Sequence, residues 1–171
     1  VFFQRLVPVE EYGQSHPEYF SLFKGKRQNG EKDYWQLCLT NPDVLKIAIE
    51  NARKILRENP DCKIISISQN DNLNHCQCEA CLNADSEEGS PAGTLLRFVN
   101  AMAEALEDEF PDVLFDILAY HYTRPASHLT QARKNVCIRI CASSGLHAST
   151  SAASALSKSD ETEYAFSTAF S

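Results

Sequence analysis

No run in this 171-residue chain approaches the roughly 18 to 20 consecutive apolar residues that a bilayer crossing requires, so a membrane span is excluded. Val1-Phe2-Phe3-Gln4-Arg5 lacks both the basic start and the small-residue cleavage site of a signal peptide, and reads as the interior of a longer protein. Positive charge is scarce as well: 16 Lys and Arg stand against 23 Asp and Glu, giving a net charge of −7 and a pI near 5.2. A nucleic-acid surface needs clustered cations, and none cluster here. Lys24-Gly25-Lys26-Arg27 reads as a hairpin tip rather than an anion site. Nor does a Gly-rich loop follow any recognisable strand, which counts against a nucleotide-phosphate site.

What the chain does have is 43% hydrophobic residues, enough for one core and hence one domain. It also has seven cysteines, an odd number that leaves at least one unpaired and does not settle the redox compartment. Short apolar runs alternate with helical periodicity. Gln36 to Leu39 is the first run; Thr40-Asn41-Pro42-Asp43 then supplies a capping residue, a proline in the first turn and an acid near the positive end of the helix dipole. Leu45, Ala48, Ala52, Ile55 and Leu56 carry that helix to about Glu58, where Asn59-Pro60-Asp61 stops it. Lys63 to Ser68, with Ile64, Ile65 and Ile67, predicts a buried strand. The connection from Gln69 to Gly89 is long for such a unit. Ser90-Pro91 opens a second helix along Leu95, Val99, Met102 and Leu106. Val113 to Ala119 and Val136 to Ile140 predict two further strands, the second containing Cys137 and followed by Cys141, both expected as core thiols.

Strands alternating with helices imply parallel pairing, and without a phosphate loop a (β/α) barrel is favoured over a doubly wound sheet. A closed barrel needs about 250 residues and eight strands, so the expectation is a truncated, partial (β/α)8 TIM-type barrel over residues 1–141. Residues 142–171, with nine Ser and seven Ala and little periodicity, form a low-complexity tail expected to be disordered.

Three groups could carry chemistry. Ser68-Gln69-Asn70-Asp71-Asn72 directly follows a strand: Asp71 there can act as acid, base or charge stabiliser, while Gln69 and Asn70 can hydrogen-bond sugar hydroxyls or an acetamido group. The same residues also suit an Asx-rich turn. Tyr120, His121 and Tyr122 follow the next strand, where rings can stack on a sugar or simply pack on the rim. His75-Cys76-Gln77-Cys78-Glu79-Ala80-Cys81 brings three thiols into six residues, with His75 or Cys38 as a fourth ligand for structural zinc; reduced structural thiols and a disulfide are the other open readings. His16-Pro17-Glu18-Tyr19-Phe20 reads as a packed turn.

Seven ordered segments carry a resemblance: His16 to Phe20 with Gly25-Lys26-Arg27, Gln36 to Pro42, Ser68 to Asp71, Cys76 to Cys81, Gly89-Ser90-Pro91, Arg97-Phe98-Val99-Asn100 and Ala119 to Thr123. Together, over about residues 5 to 141, they resemble the domain of unknown function 4838, which overlaps glycoside hydrolase family 163. The resemblance implies a bacterial (β/α)8 endo-β-N-acetylglucosaminidase, retaining, acting on N-glycans, needing no cofactor, and secreted, periplasmic or on the cell surface as a full-length protein. It makes Asp71 a catalytic residue, either acetamido orienter or general acid. The second carboxylate is expected on later strands, so the isolated chain is expected to be inactive. A zinc-binding interaction module and a non-catalytic carbohydrate-binding fragment are the competing readings.

Overall fold

Capping and periodicity decide where the two long helices lie. The computed structural model describes residues 3–30 and 34–141; the expected tail of 142–171 lies outside the described residues. After two short helices, α1 (Phe3–Leu6) and α2 (Val9–Tyr12), comes a hairpin of β1 (Leu22–Phe23) and β2 (Lys26–Arg27). Its turn puts Lys24 at φ 51° and Gly25 at φ 77°, the left-handed pair that a two-residue hairpin turn requires. Helix α3 (Pro42–Glu58) starts where the sequence places it, the Asn41 side chain accepting from the backbone N–H of Asp43 at 2.9 Å.

The parallel core follows. β3 (Ile64–Ser66), β4 (Leu114–Ala119) and β5 (Val136–Ile140) form one sheet in the order β3-β4-β5, all parallel, with Ser66 opposite Asp116 and Asp116 opposite Cys137. Between β3 and β4 lie α4 (Glu79–Glu88) and α5 (Pro91–Leu106). Leu95, Val99, Met102 and Leu106 of α5 are buried, and α5 packs against both α3 and β4. Ile65, Ile67, Phe115 and Ile117 are buried with them in one core.

The described residues form an open three-stranded parallel sheet in a mixed α/β unit, with no closed barrel. Three expectations change. Gln36 to Leu39 does not join that sheet: Leu37 makes a single antiparallel bridge to Phe20, flanked by hydrogen bonds from Ser21 N to Gln36 O (2.8 Å) and Cys38 N to Tyr19 O (2.9 Å). The segment is buried by the loop it pairs with, which an apolar run cannot distinguish from a sheet strand. Ile64 is 60% exposed, although Ile65 and Ile67 are buried as expected. Cys137 is exposed and Cys141 half-buried, so neither is a core thiol. Only Val136 of β5 is buried.

The long connection contains a helix that its sequence hides. α4 ends at Gly89, whose φ of 70° is the left-handed cap conformation that glycine adopts without strain. Its last residue, Glu88, is fully buried. The carboxylate accepts from Arg97 Nε and Thr130 Oγ1 at 2.5 Å, Ser127 Oγ at 2.6 Å and Thr130 N at 3.0 Å. Gly93 makes room for it, since a Cβ there would fall 2.2 Å from the Glu88 side chain. Burial alone would raise the Glu88 pKa, but the hydrogen bonds from Ser127, Thr130 and Arg97 outweigh it and hold the group well below the ordinary carboxylate range. A glutamate depressed in the folded state stabilises fully above its unfolded pKa of about 4.3 and loses that contribution as pH falls. Glu88→Gln should therefore cost about 3 kcal/mol in urea unfolding at neutral pH. The gap between wild type and variant should narrow as the pH is lowered below about 4. A gap that stays constant with pH would show that the charge of Glu88 is not what ties α4 to the 127–130 loop.

Candidate functional site

Directly after β3 the chain stays buried for four residues, Ile67, Ser68, Gln69 and Asn70, before emerging at Asp71. Buried irregular backbone must find hydrogen-bond partners, and here side-chain amides supply them. Gln36 Oε1 accepts from Asn70 N at 3.0 Å, while Gln36 Nε2 donates to Asn70 O at 2.8 Å and Asn72 Oδ1 at 3.0 Å. Asn70 Nδ2 donates to Trp35 O at 3.0 Å and Asn74 Nδ2 to Tyr34 O at 2.6 Å. Gln69 Nε2 reaches the other way, to Tyr120 O (3.0 Å) and Thr123 Oγ1 (2.7 Å) in the loop after β4. Gln69 and Asn70 are thus framework amides, buried beneath the surface that Asp71 presents.

Asp71 itself is exposed, its side chain 76% accessible. His121 Nε2 lies 3.1 Å from Asp71 Oδ1, a hydrogen bond in the tautomer carrying the proton on Nε2. Tyr120 stands beside them, its ring centroid 3.7 Å from that of His121. Partial desolvation and the adjacent Asp71 carboxylate push the Tyr120 phenol above its ordinary range. The loop is a single 3-10 turn over His121–Thr123, closed by Thr123 Oγ1 accepting from Tyr120 N at 3.1 Å. His121 adopts φ 51°, a left-handed conformation uncommon for a residue with a Cβ. That local strain sits where the ring meets Asp71.

Tyr122 goes elsewhere. Its ring stacks on His75 at 4.9 Å and borders a small cavity with Cys76, Cys81, Asp85 and Thr94. Burial, and the Asp85 carboxylate, push the Tyr122 phenol up. Thr94 Oγ1 donates to Asp85 at 2.5 Å, and desolvation raises the Asp85 carboxyl. The structure therefore brings Asp71, Tyr120 and His121 together and places Tyr122 on the cysteine side.

The four candidate cysteines do converge. The sulfurs of Cys38, Cys76, Cys78 and Cys81 lie within 4.8 Å of one another, and all but Cys78 are buried. Cys38 Sγ is 3.6 Å from Cys78 Sγ and 3.8 Å from Cys81 Sγ, far beyond the roughly 2.05 Å of a disulfide. Leu22 N donates to Cys76 Sγ at 3.4 Å, and Thr40 Oγ1 lies 3.1 Å from Cys81 Sγ. Hydrogen bonds with Cys76 and Cys81 pull the Cys38 thiol far below its ordinary range, and the hydrogen bonds to Cys38 push Cys76 and Cys81 up. Such a cluster could hold a metal ion. Cys38 is its fourth member; His75, the alternative, is stacked on Tyr122.

Of the acids in the connection and the sheet, Glu79 is exposed at the start of α4, and both oxygens of Asp116 are engaged by Arg139 of β5. His16 stacks on Tyr19 at 4.5 Å in the packed turn expected there. Gln36, Thr123 and Glu88 were not marked by the sequence reading. Only Gln36 left a signal there, as the one amide in a short apolar run. If the ring of His121 is held against the backbone preference of its residue, His121→Gly should unfold in urea within about 1 kcal/mol of wild type, or later. A loss well beyond that would make His121 a structural prop of the loop.

The family model described as Domain of unknown function (DUF4838) covers residues 2–169, extending beyond the 5–141 span of the recognisable segments and into the Ser/Ala-rich stretch. No curated protein and no solved structure matches the chain. A match over nearly the whole length is decisive for membership: the chain belongs to the Domain of unknown function (DUF4838) family.

Proposed function

We propose that this domain acts on carbohydrate, as the first βα units of a (β/α)8 glycoside hydrolase barrel of the family 163 type. Its reaction is retaining endo-β-N-acetylglucosaminidase cleavage of N-glycans by a secreted, periplasmic or surface-bound bacterial protein. The observation that carries this reading is the meeting of Asp71, from the loop after β3, with Tyr120 and His121, from the loop after β4. Carboxylate, imidazole and phenol stand at the C-terminal edge of a parallel sheet, the edge that bears catalytic groups in barrel enzymes.

In a retaining cleavage assisted by the substrate, the acetamido oxygen attacks the anomeric carbon. One carboxylate orients the acetamido N–H, and an acid protonates the leaving oxygen. Asp71 accepts from His121 and is open to a further donor on its exposed side, which suits the orienting role. Tyr120 offers its ring face to a sugar. No cofactor enters this chemistry, and a zinc ion at the four cysteines belongs to the scaffold. The acid that protonates the leaving group is assigned to later βα units, so this chain alone should bind glycan without turning it over.

The test is release of glycan from an N-glycan with a chitobiose core, by this chain and by the protein extended with further βα units. The extended protein should turn over, and Asp71→Asn should lower its rate by roughly 10²- to 10⁴-fold. Tyr120→Ala should weaken chitobiose binding to the chain at least about tenfold, as expected for loss of about 1.4 kcal/mol or more of ring contact. Undiminished turnover in Asp71→Asn, or none from the extended protein, would sink the enzyme reading; glycan binding without turnover in both would leave a carbohydrate-binding module.

A further inference from the structure

We infer that Cys38, Cys76, Cys78 and Cys81 together hold one Zn²⁺ that staples the chain on both sides of the Asp71 loop. The first ground is geometry. With Zn–S bonds of about 2.3 Å, the edges of a regular ZnS₄ tetrahedron are about 3.8 Å. The Cys38 sulfur sits 3.6 Å and 3.8 Å from two of its neighbours, and no pair of the four is separated by more than 4.8 Å.

The second ground is the surroundings. Thiolates bound to a metal carry charge that is eased by donors around them. The backbone N–H of Leu22 points at Cys76 Sγ, and the Thr40 hydroxyl lies within reach of both Cys81 (3.1 Å) and Cys38 (3.8 Å). Leu22 packs against the cluster from the hairpin, supplying an apolar wall. These are the surroundings of a charge-bearing sulfur centre rather than of four thiols meeting by chance in a core.

The third ground is coordination number, which also fixes the role. Four protein sulfurs complete a tetrahedral shell and leave no position for water or substrate, the arrangement of structural rather than catalytic zinc. The neighbouring cavity bordered by His75, Asp85, Thr94 and Tyr122 has a volume of about 20 Å³, room for about one water. Soft thiolates select against Mg²⁺ and Ca²⁺.

The ligands come from three places in the chain: Cys38 just after the Phe20–Leu37 bridge, Cys76 and Cys78 in the connection after β3, and Cys81 in the first turn of α4. Gln77, between two ligands, ties in the hairpin as a fourth segment, its N–H donating to Leu22 O at 2.6 Å and its Oε1 accepting from Lys24 N at 3.0 Å. One ion thus fixes the far end of the connection whose near end carries Asp71.

The inference rests on the four-cysteine cluster and not on the carbohydrate reading. Protein purified without chelator should contain about one zinc per chain. Cys38→Ser and Cys81→Ser should each lose most of it, while Cys62→Ser and Cys137→Ser keep it. Because the ligand variants can fail to fold, wild-type protein stripped and refilled with Co²⁺ provides a second measurement: it should show the intense visible bands and sulfur-to-metal charge transfer of a tetrahedral tetrathiolate. Chelation should also open residues 69–78 to limited proteolysis. Absence of zinc together with a weak octahedral cobalt spectrum, zinc retained by both ligand variants, or a disulfide among the four cysteines by mass spectrometry would overturn the inference. Metal content is read without glycan, so a zinc-bearing chain that ignores chitobiose refutes the carbohydrate reading alone, and a metal-free chain that binds it refutes this one alone.

Discussion

Because β3 and β4 run parallel and in register, with Ile64 opposite Leu114 and Ser66 opposite Asp116, the chain leaves both strands at the same edge of the sheet. Parallel neighbours cannot be joined by a tight turn, so a crossover must carry the chain from the end of β3 back to the start of β4. α4 and α5 make that crossover, and α5 buries one face of the sheet in doing so. Every polar group proposed to meet a substrate depends on this pairing. Asp71 lies five residues beyond Ser66, His121 lies five beyond Asp116, and the register of the strands therefore sets them side by side.

Register alone would leave two floppy loops. What fixes them is an arrangement of amides that treats side chains as substitute backbone. Gln36 both accepts from and donates to Asn70, as a neighbouring strand would, and Gln69 links the first loop to Tyr120 and Thr123 of the second. A buried N–H or C=O left unpaired is unfavourable by about 1 to 3 kcal/mol, so such brackets decide whether the irregular segments can be buried at all. The strained φ of His121 is tolerable in the same setting, because the turn around it is closed by Thr123.

This division of labour explains what was legible in the sequence. Helices α3 and α5 announce themselves through Asn41-Pro42 and Ser90-Pro91 caps followed by regular apolar spacing, and their positions follow. α4 does not, since its buried positions are Cys81, Ala84 and Glu88: a thiol, a methyl and a charge that periodicity does not count as a face. Gln69 and Asn70 have the residue types of a sugar-binding pair, and only the fold shows that their amide N–H groups are engaged by backbone. Proximity of Cys76, Cys78 and Cys81 is written in their spacing, whereas Cys38, 38 positions before Cys76, required the Phe20–Leu37 bridge to bring it in. Cys137 is half of a β-strand pattern whose other requirement, a covering element, cannot be read from the strand itself.

α4 is worth considering as a rigid member. Its ten residues span about 15 Å. One end is set by Cys81 among the sulfurs and the other by Glu88 among Arg97, Ser127 and Thr130. Each residue of a helix advances the direction of its side chains by about 100°. Adding or deleting one position between Cys81 and Glu88 would swing one anchor out of its socket while the other stayed seated. The outward positions Leu82 and Asn83 are exposed and stand outside this constraint, but the seven-residue interval between the anchors is a fixed gauge, and variation in length has to be accommodated in the loops on either side.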